Sequence, residues 1–167
     1  MDLESLNALP PDEALEEFLK CCGSVRWAQT MNERRPYESL EELTRIADEV
    51  WWSLQPSDWL EAFRSHPKIG EKKAAAEVST QSKQWSGQEQ GGVQTAAHET
   101  LDSLVQLNEK YEQKFGFIFI VCATGKSADE MLAILRERLR NEIDAELPIA
   151  AAEQAKITEL RLKKLVN

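Results

Sequence analysis

Apolar residues recur along this chain three and four positions apart, the period of a helix rather than of a strand. Ala14, Leu15, Phe18 and Leu19 share one face, and Pro10-Pro11-Asp12 marks where their helix begins. Gly23-Ser24 ends that helix and caps the next, which carries Val25, Trp27, Ala28 and Met31. Ser39-Leu40-Glu41-Glu42 has the spacing of a capping box, ahead of Leu43, Ile46, Ala47, Val50 and Trp51. Pro56-Ser57-Asp58 opens a short helix with Trp59, Leu60 and Phe63. A long helix turns Ala97, Leu101, Leu104, Val105 and Leu107 inward. Ser127-Ala128-Asp129-Glu130 is a second capping box, before Met131, Leu132, Leu135 and Leu139. The last helix is expected from Glu146 to Leu165, with Pro148 in its first turn, where a missing N–H costs nothing.

Two stretches break the pattern. Gly70 to Gln90 is polar and alanine-rich, expected to be partly helical and partly mobile. Gly91-Gly92 would interrupt or bend the helix around Glu89. Phe117 to Val121 is a continuous apolar run, too short for a helix of its own and rich in β-branched and aromatic residues. It reads as a buried extended segment without a partner strand. No repeat or heptad array is present. The pattern predicts an all-α fold, a single-domain multi-helix bundle over residues 1–167.

The 167 residues suit one core, and the 42% apolar content is ordinary for a globular protein. No apolar run approaches the roughly 20 residues of a membrane span. Met1-Asp2-Leu3-Glu4-Ser5 lacks the pattern of a secretory signal, and Lys164-Leu165-Val166-Asn167 is not the Ser-Lys-Leu peroxisomal address. A cytoplasmic location is the expectation, with no membrane partner. The net charge of -9 argues against a nucleic-acid partner, whose phosphates demand basic residues. An anionic substrate would have to meet locally placed cations. Cys21, Cys22 and Cys122 have no zinc-type spacing and read as reduced, partly buried thiols. With only His66 and His98 as histidines, no metal site is expected.

His66 carries the strongest hint of chemistry. Pro67 disfavours the α region for the residue before it, so His66 should sit in extended backbone at a helix edge. Pro67 could itself open the following helix. A titratable ring held at a rim suits an acid or base, whereas the plain reading is a loop histidine without a task. Arg161 shares a helical face with Ile157 and Leu165, so it either snorkels outward, meets a buried anion, or pairs with a carboxylate such as Glu153. Ser86 and Glu89 have capping-box spacing, or else converge with Gln90 on a small polar molecule. Phe119, Ile120, Val121, Cys122 and Ala123 would offer backbone groups to a ligand, unless these pair within the protein. His98 gets no role, and the five tryptophans are mostly core candidates.

His66-Pro67-Lys68-Ile69-Gly70, then Ser86-Gly87-Gln88-Glu89-Gln90, then Asn108 to Ala123, then Glu153 to Leu162 follow one another in fixed order. Together they resemble the 2-oxo-4-hydroxy-4-carboxy-5-ureidoimidazoline (OHCU) decarboxylase family of urate breakdown, including the N-terminal domain of plant transthyretin-like allantoin synthases. The resemblance runs from the Leu6 region to Leu165. It implies that His66 is the catalytic acid/base, with Glu89 and Arg161 beside it as catalytic residues. It implies that Pro67, Ser86, Gln90 and Phe119 to Ala123 contact the substrate. Two departures stand out: Gly91-Gly92, where many members carry stiffer residues, and Phe117-Ile118-Phe119, where many have proline in the middle.

The implied function is cofactor-free decarboxylation of OHCU to (S)-allantoin. The implied partners are a second copy of the chain in a homodimer, and urate oxidase and hydroxyisourate hydrolase as suppliers of substrate. Two other readings stay open on sequence: a cofactor-free lyase or hydrolase on another ureide, and a helical interaction module without chemistry. The last predicts exposed aromatic patches.

Overall fold

The computed structural model describes residues 1–68, 80–91 and 97–167. Helices account for most of them: α1 (Leu3–Ala8), α2 (Pro11–Cys21), α3 (Val25–Glu33), α4 (Leu40–Ser53), α5 (Pro56–Arg64), α6 (Thr80–Glu89), α7 (His98–Phe115), α8 (Ala128–Arg138) and α9 (Ile143–Leu165). No strand occurs among the described residues. Ile69 and Gly70 of the histidine block, the first half of the polar stretch, and Gly92 lie outside them.

The caps sit where serines announced them. The Ser24, Ser39 and Ser127 hydroxyls accept from the backbone N–H of Trp27, Glu42 and Glu130 at 3.1–3.2 Å. Each satisfies one of the amides that a helix start leaves without a partner. Gly116 ends α7 at φ 81, a left-handed conformation natural for glycine at a helix end.

Two compact units emerge: residues 1–62 with 155–167, and residues 63–154. In the first unit, Phe18, Trp27, Met31, Leu43 and Leu162 are buried, and the Trp27 indole donates to the Ala47 carbonyl at 3.1 Å. Arg35 gathers the carbonyls of Leu6, Asn7 and Leu9 from the end of α1. Trp59 is half-buried and Trp52 is 42% exposed, so not every tryptophan is core.

In the second unit, α7 buries Leu104, Asn108, Tyr111 and Phe115. Val105 and Ala97, expected inward, are exposed. Val105 lies about 100° around the helix from Leu104, outside that stripe; Ala97 is only the cap residue before His98. Phe117 to Ala123 runs without regular structure, as expected, and buries Phe117 and Phe119 against Tyr111. The final helix begins at Ile143, earlier than expected, so Pro148 falls past its first turn. Pro148 is exposed, so the Asp144 carbonyl it leaves without a helical partner lies near water.

Behind the extended segment sits a buried charge network. Arg138 Nε donates to Glu146 Oε1 at 2.6 Å, and its NH1 donates to the Ile120 carbonyl at 2.5 Å. The Tyr111 hydroxyl and the Asn141 amide also donate to the Glu146 carboxylate. Glu146 is 0% exposed. Removing one member of such a pair strands the other charge in the interior and costs about 3–5 kcal/mol, whereas replacing both by apolar residues is often tolerated. Urea unfolding should therefore show Glu146→Leu losing about that amount and Arg138→Met/Glu146→Leu losing less. A single-variant loss below about 1 kcal/mol would contradict this account of the network.

Candidate functional site

His66 lies just past the end of α5, where its N–H donates to the Phe63 carbonyl at 3.2 Å. It is half-buried, matching the expected rim position. Pro67 and Lys68 belong to no helix, so Pro67 does not itself begin one. The turn is held on both sides. His66 Nε2 contacts Gln154 Oε1 of α9 at 2.6 Å, and Lys68 pairs with Glu112 of α7 at 2.8 Å.

Ser86 and Glu89 are both buried, at 5% and 8% exposure, and lie in the last turn of α6. That position rules out the capping-box reading, which needs a helix start. Residues three apart share a face, so the hydroxyl and carboxylate emerge together with Trp85 buried beside them. Gln90 follows, its N–H donating to the Ser86 carbonyl at 3.0 Å.

The extended segment satisfies part of its backbone internally. Beside the Ile120 carbonyl on Arg138, the Cys122 N–H donates to Glu153 Oε1 at 3.2 Å, and the Cys122 carbonyl accepts from Lys126 Nζ at 2.7 Å. The Ala123 carbonyl accepts from Lys126 N at 3.0 Å. Pairing within the protein therefore accounts for these groups. Among the described residues, no partner takes the backbone N–H or C=O of Val121.

Electrostatics ties α6 to the same place. Burial pushes the Cys122 thiol up; the Thr124 backbone and Lys126 oppose this, while Glu153 and Glu89 add to it. Glu89 thus lies within charge range of Cys122, whose amide Glu153 holds, and the neighbour of Glu153 holds His66. The second unit brings His66, Glu89, Cys122, Glu153 and Gln154 into one linked neighbourhood.

Sequence reasoning gave Glu153 only as a possible partner for Arg161 and gave Gln154 nothing. Both had a signal. Gln154 is a polar residue on the apolar face that also carries Ala150 and Ala151, and a buried amide needs a partner.

Arg161 belongs to the first unit and is 4% exposed, so it does not snorkel outward. Its NH1 donates to the Lys20 carbonyl at 3.3 Å, in the last turn of α2, where helix carbonyls favour a cation. Cys21 and Cys22 lie within its charge range. Burial raises both thiols, that of Cys22 to about 11, although Arg161 pulls the other way.

Among the described residues no group of His, Cys, Asp and Glu could hold a metal ion, and no helix is long and apolar enough to cross a membrane.

A family model described as OHCU decarboxylase matches residues 7–163. The uric acid degradation bifunctional protein TTL of Arabidopsis thaliana is 40% identical over 153 residues, covering 91% of this chain and 47% of the relative. The chain thus spans about half the length of that plant protein. The 2-oxo-4-hydroxy-4-carboxy-5-ureidoimidazoline decarboxylase of Amia calva is 30% identical, covering 100% of this chain and 95% of the relative. A crystal structure of OHCU decarboxylase in the presence of (S)-allantoin aligns with a TM-score of 0.78 and 38% identity, over 90% of this chain and 97% of the other. An (S)-allantoin synthase structure, at 18% identity, a TM-score of 0.75 and coverage of 99% of this chain and 54% of the other, shares the fold.

The raised thiols make a direct prediction. A group with a pKa of about 11, like Cys22, is thiolate in only about one molecule per thousand at pH 8. Iodoacetamide at that pH, followed by mass spectrometry, should label the native cysteines far more slowly than the urea-unfolded ones. Equal rates would contradict the burial.

Proposed function

Since the chain belongs to the OHCU decarboxylase family, we propose that it removes CO2 from OHCU to give (S)-allantoin, with His66 as acid/base. The observation behind this reading is the half-buried imidazole fixed by Gln154 in the neighbourhood that also holds Glu89 and the extended segment. The family match over both units also supports reading residues 1–167 as one working domain.

The chemistry asks for an electron sink. When the carbon–carboxylate bond breaks, its electron pair forms a carbon–carbon double bond as the adjacent imine nitrogen takes up the charge. That nitrogen then gains a proton, and the hydroxyl gives up its own to become a carbonyl. The ureido-bearing carbon gains a proton on one face, which sets the hand of the product. The net reaction takes up one proton. Because the substrate holds its own sink, the chain's task is to bind, orient and move protons.

His66 would take the hydroxyl proton or deliver the one that fixes the stereocentre. Glu89, Ser86 and Gln90 offer carboxylate, hydroxyl and amide groups to the ureido side. Phe119 to Ala123 would line the substrate, and the Val121 backbone is the part best able to bond it, since a buried peptide group needs a partner. Pro67 keeps the His66 turn rigid. Arg161 would hold an anionic or carbonyl oxygen, the local cation that a net charge of -9 requires. The same reading carries a homodimer, and substrate supplied by urate oxidase and hydroxyisourate hydrolase.

The test follows circular dichroism while urate oxidase and hydroxyisourate hydrolase generate OHCU in situ. Adding this protein should speed the appearance of the (S)-allantoin signal. His66→Asn should slow it by about 10²–10⁴-fold, the usual contribution of a placed acid or base. No acceleration by the folded wild-type chain, or near-normal turnover by the variant, would defeat the reading.

Arg161→Lys keeps the charge and loses the planar fork. The expected result is a KM raised several-fold in the same assay. Unchanged kinetics would leave Arg161 a structural role, such as holding the Lys20 carbonyl.

A further inference from the structure

An amide oxygen can only accept a hydrogen bond. With Gln154 Oε1 at 2.6 Å, His66 Nε2 must be the nitrogen that carries the proton. A neutral imidazole has one N–H, so Nδ1 is then its basic nitrogen. We infer that Gln154 is a positioning residue that fixes His66 as the Nε2–H tautomer, making Nδ1 the nitrogen that exchanges a proton with the substrate. The inference rests on the acid/base reading of His66.

The surroundings of Gln154 fit such a task. It is 0% exposed and lies in the 23-residue helix α9, behind Ala150 and Ala151, which are also 0% exposed. A buried amide oxygen needs a donor, and at 2.6 Å the His66 ring N–H is one. The neighbouring Glu153 grips the Cys122 N–H, and Glu146, two turns earlier, grips Arg138 and through it the Ile120 carbonyl. One helix thereby sets the histidine and the extended segment together. The choice of amide over acid also has a reason. A glutamate would hold the same proton but would also favour the charged imidazolium, which cannot act as a base. Glutamine orients the ring without adding charge.

Nitrogen-15 NMR reads the tautomer without any turnover. His98 is the only other histidine and its side chain is 89% exposed, so His98→Gln leaves one ring in the spectrum. At a pH where a titration of the spectrum shows the ring to be neutral, His66 should be the Nε2–H form in the otherwise intact chain. An Nδ1–H form, or the averaged mixture of a ring in water, would overturn the inference.

Gln154→Leu should reduce the Nε2–H fraction and lower kcat by about 10²-fold, the lower end of what a placed acid or base contributes, with KM changed less than about threefold. Retention of the Nε2–H form and of kcat in this variant would equally overturn it. If the leucine variant does not fold, the spectrum of the glutamine-containing chain decides alone. If that chain turns over no OHCU, the functional reading fails while the tautomer is still measured, so the two failures are distinct.

Discussion

A chain segment that is apolar, extended and without a partner strand must still satisfy its peptide groups, and here Arg138 takes one of them while Glu153 and Lys126 take others. Its guanidinium holds the Ile120 carbonyl and lies 4.7 Å from the centre of the Phe119 ring. The cost of burying that charge is met by Glu146, with the Tyr111 hydroxyl and Asn141 completing the carboxylate's bonds. Buried pairs of this kind add little net stability compared with apolar packing. What this one provides is position: it leaves residues 117–123 one way to lie. The peptide groups of Val121, Cys122 and Ala123 are placed as a consequence.

The last helix passes this order on. Glu146, Gln154 and, between them, Ala150 fall on neighbouring turns of one face, and Glu153 stands beside Gln154. Small residues in the middle allow close approach, while polar ones at either end make directed bonds. One end of that stretch fixes the charge network. The other fixes the Cys122 amide and the His66 ring. Because a helix is stiff over two turns, the geometry of imidazole and segment is set jointly rather than by two separate loops. Preorganisation of this sort is what a proton-transfer site requires.

Charge is handled locally throughout. The net balance is strongly negative, yet the buried cations Arg138 and Arg161 each meet backbone carbonyls. Arg161 sits over the end of α2, where the helix dipole and two neutral, buried thiols make no competing demand.

The sequence by itself determined most of the helices, though not α1 or the start of α9, because the 3.6-residue period and the serine caps are local signals that need no tertiary partner. It determined that residues 117–121 would be extended and that His66 would stand at a helix edge, since glycine and proline act on their own neighbours. Tertiary structure decided which polar residues meet. Ser86 and Glu89 matched a helix start by spacing yet lie at a helix end, because identical three-residue spacing occurs at both. Val105 fell outside the buried stripe because its limits depend on what packs against it. Gln154 and Glu153, far from His66 and Cys122 in sequence, became their partners only when α9 closed against the rest of the second unit. A long-range bond between side chains leaves no periodic trace in either stretch of sequence, so nothing local could have shown it.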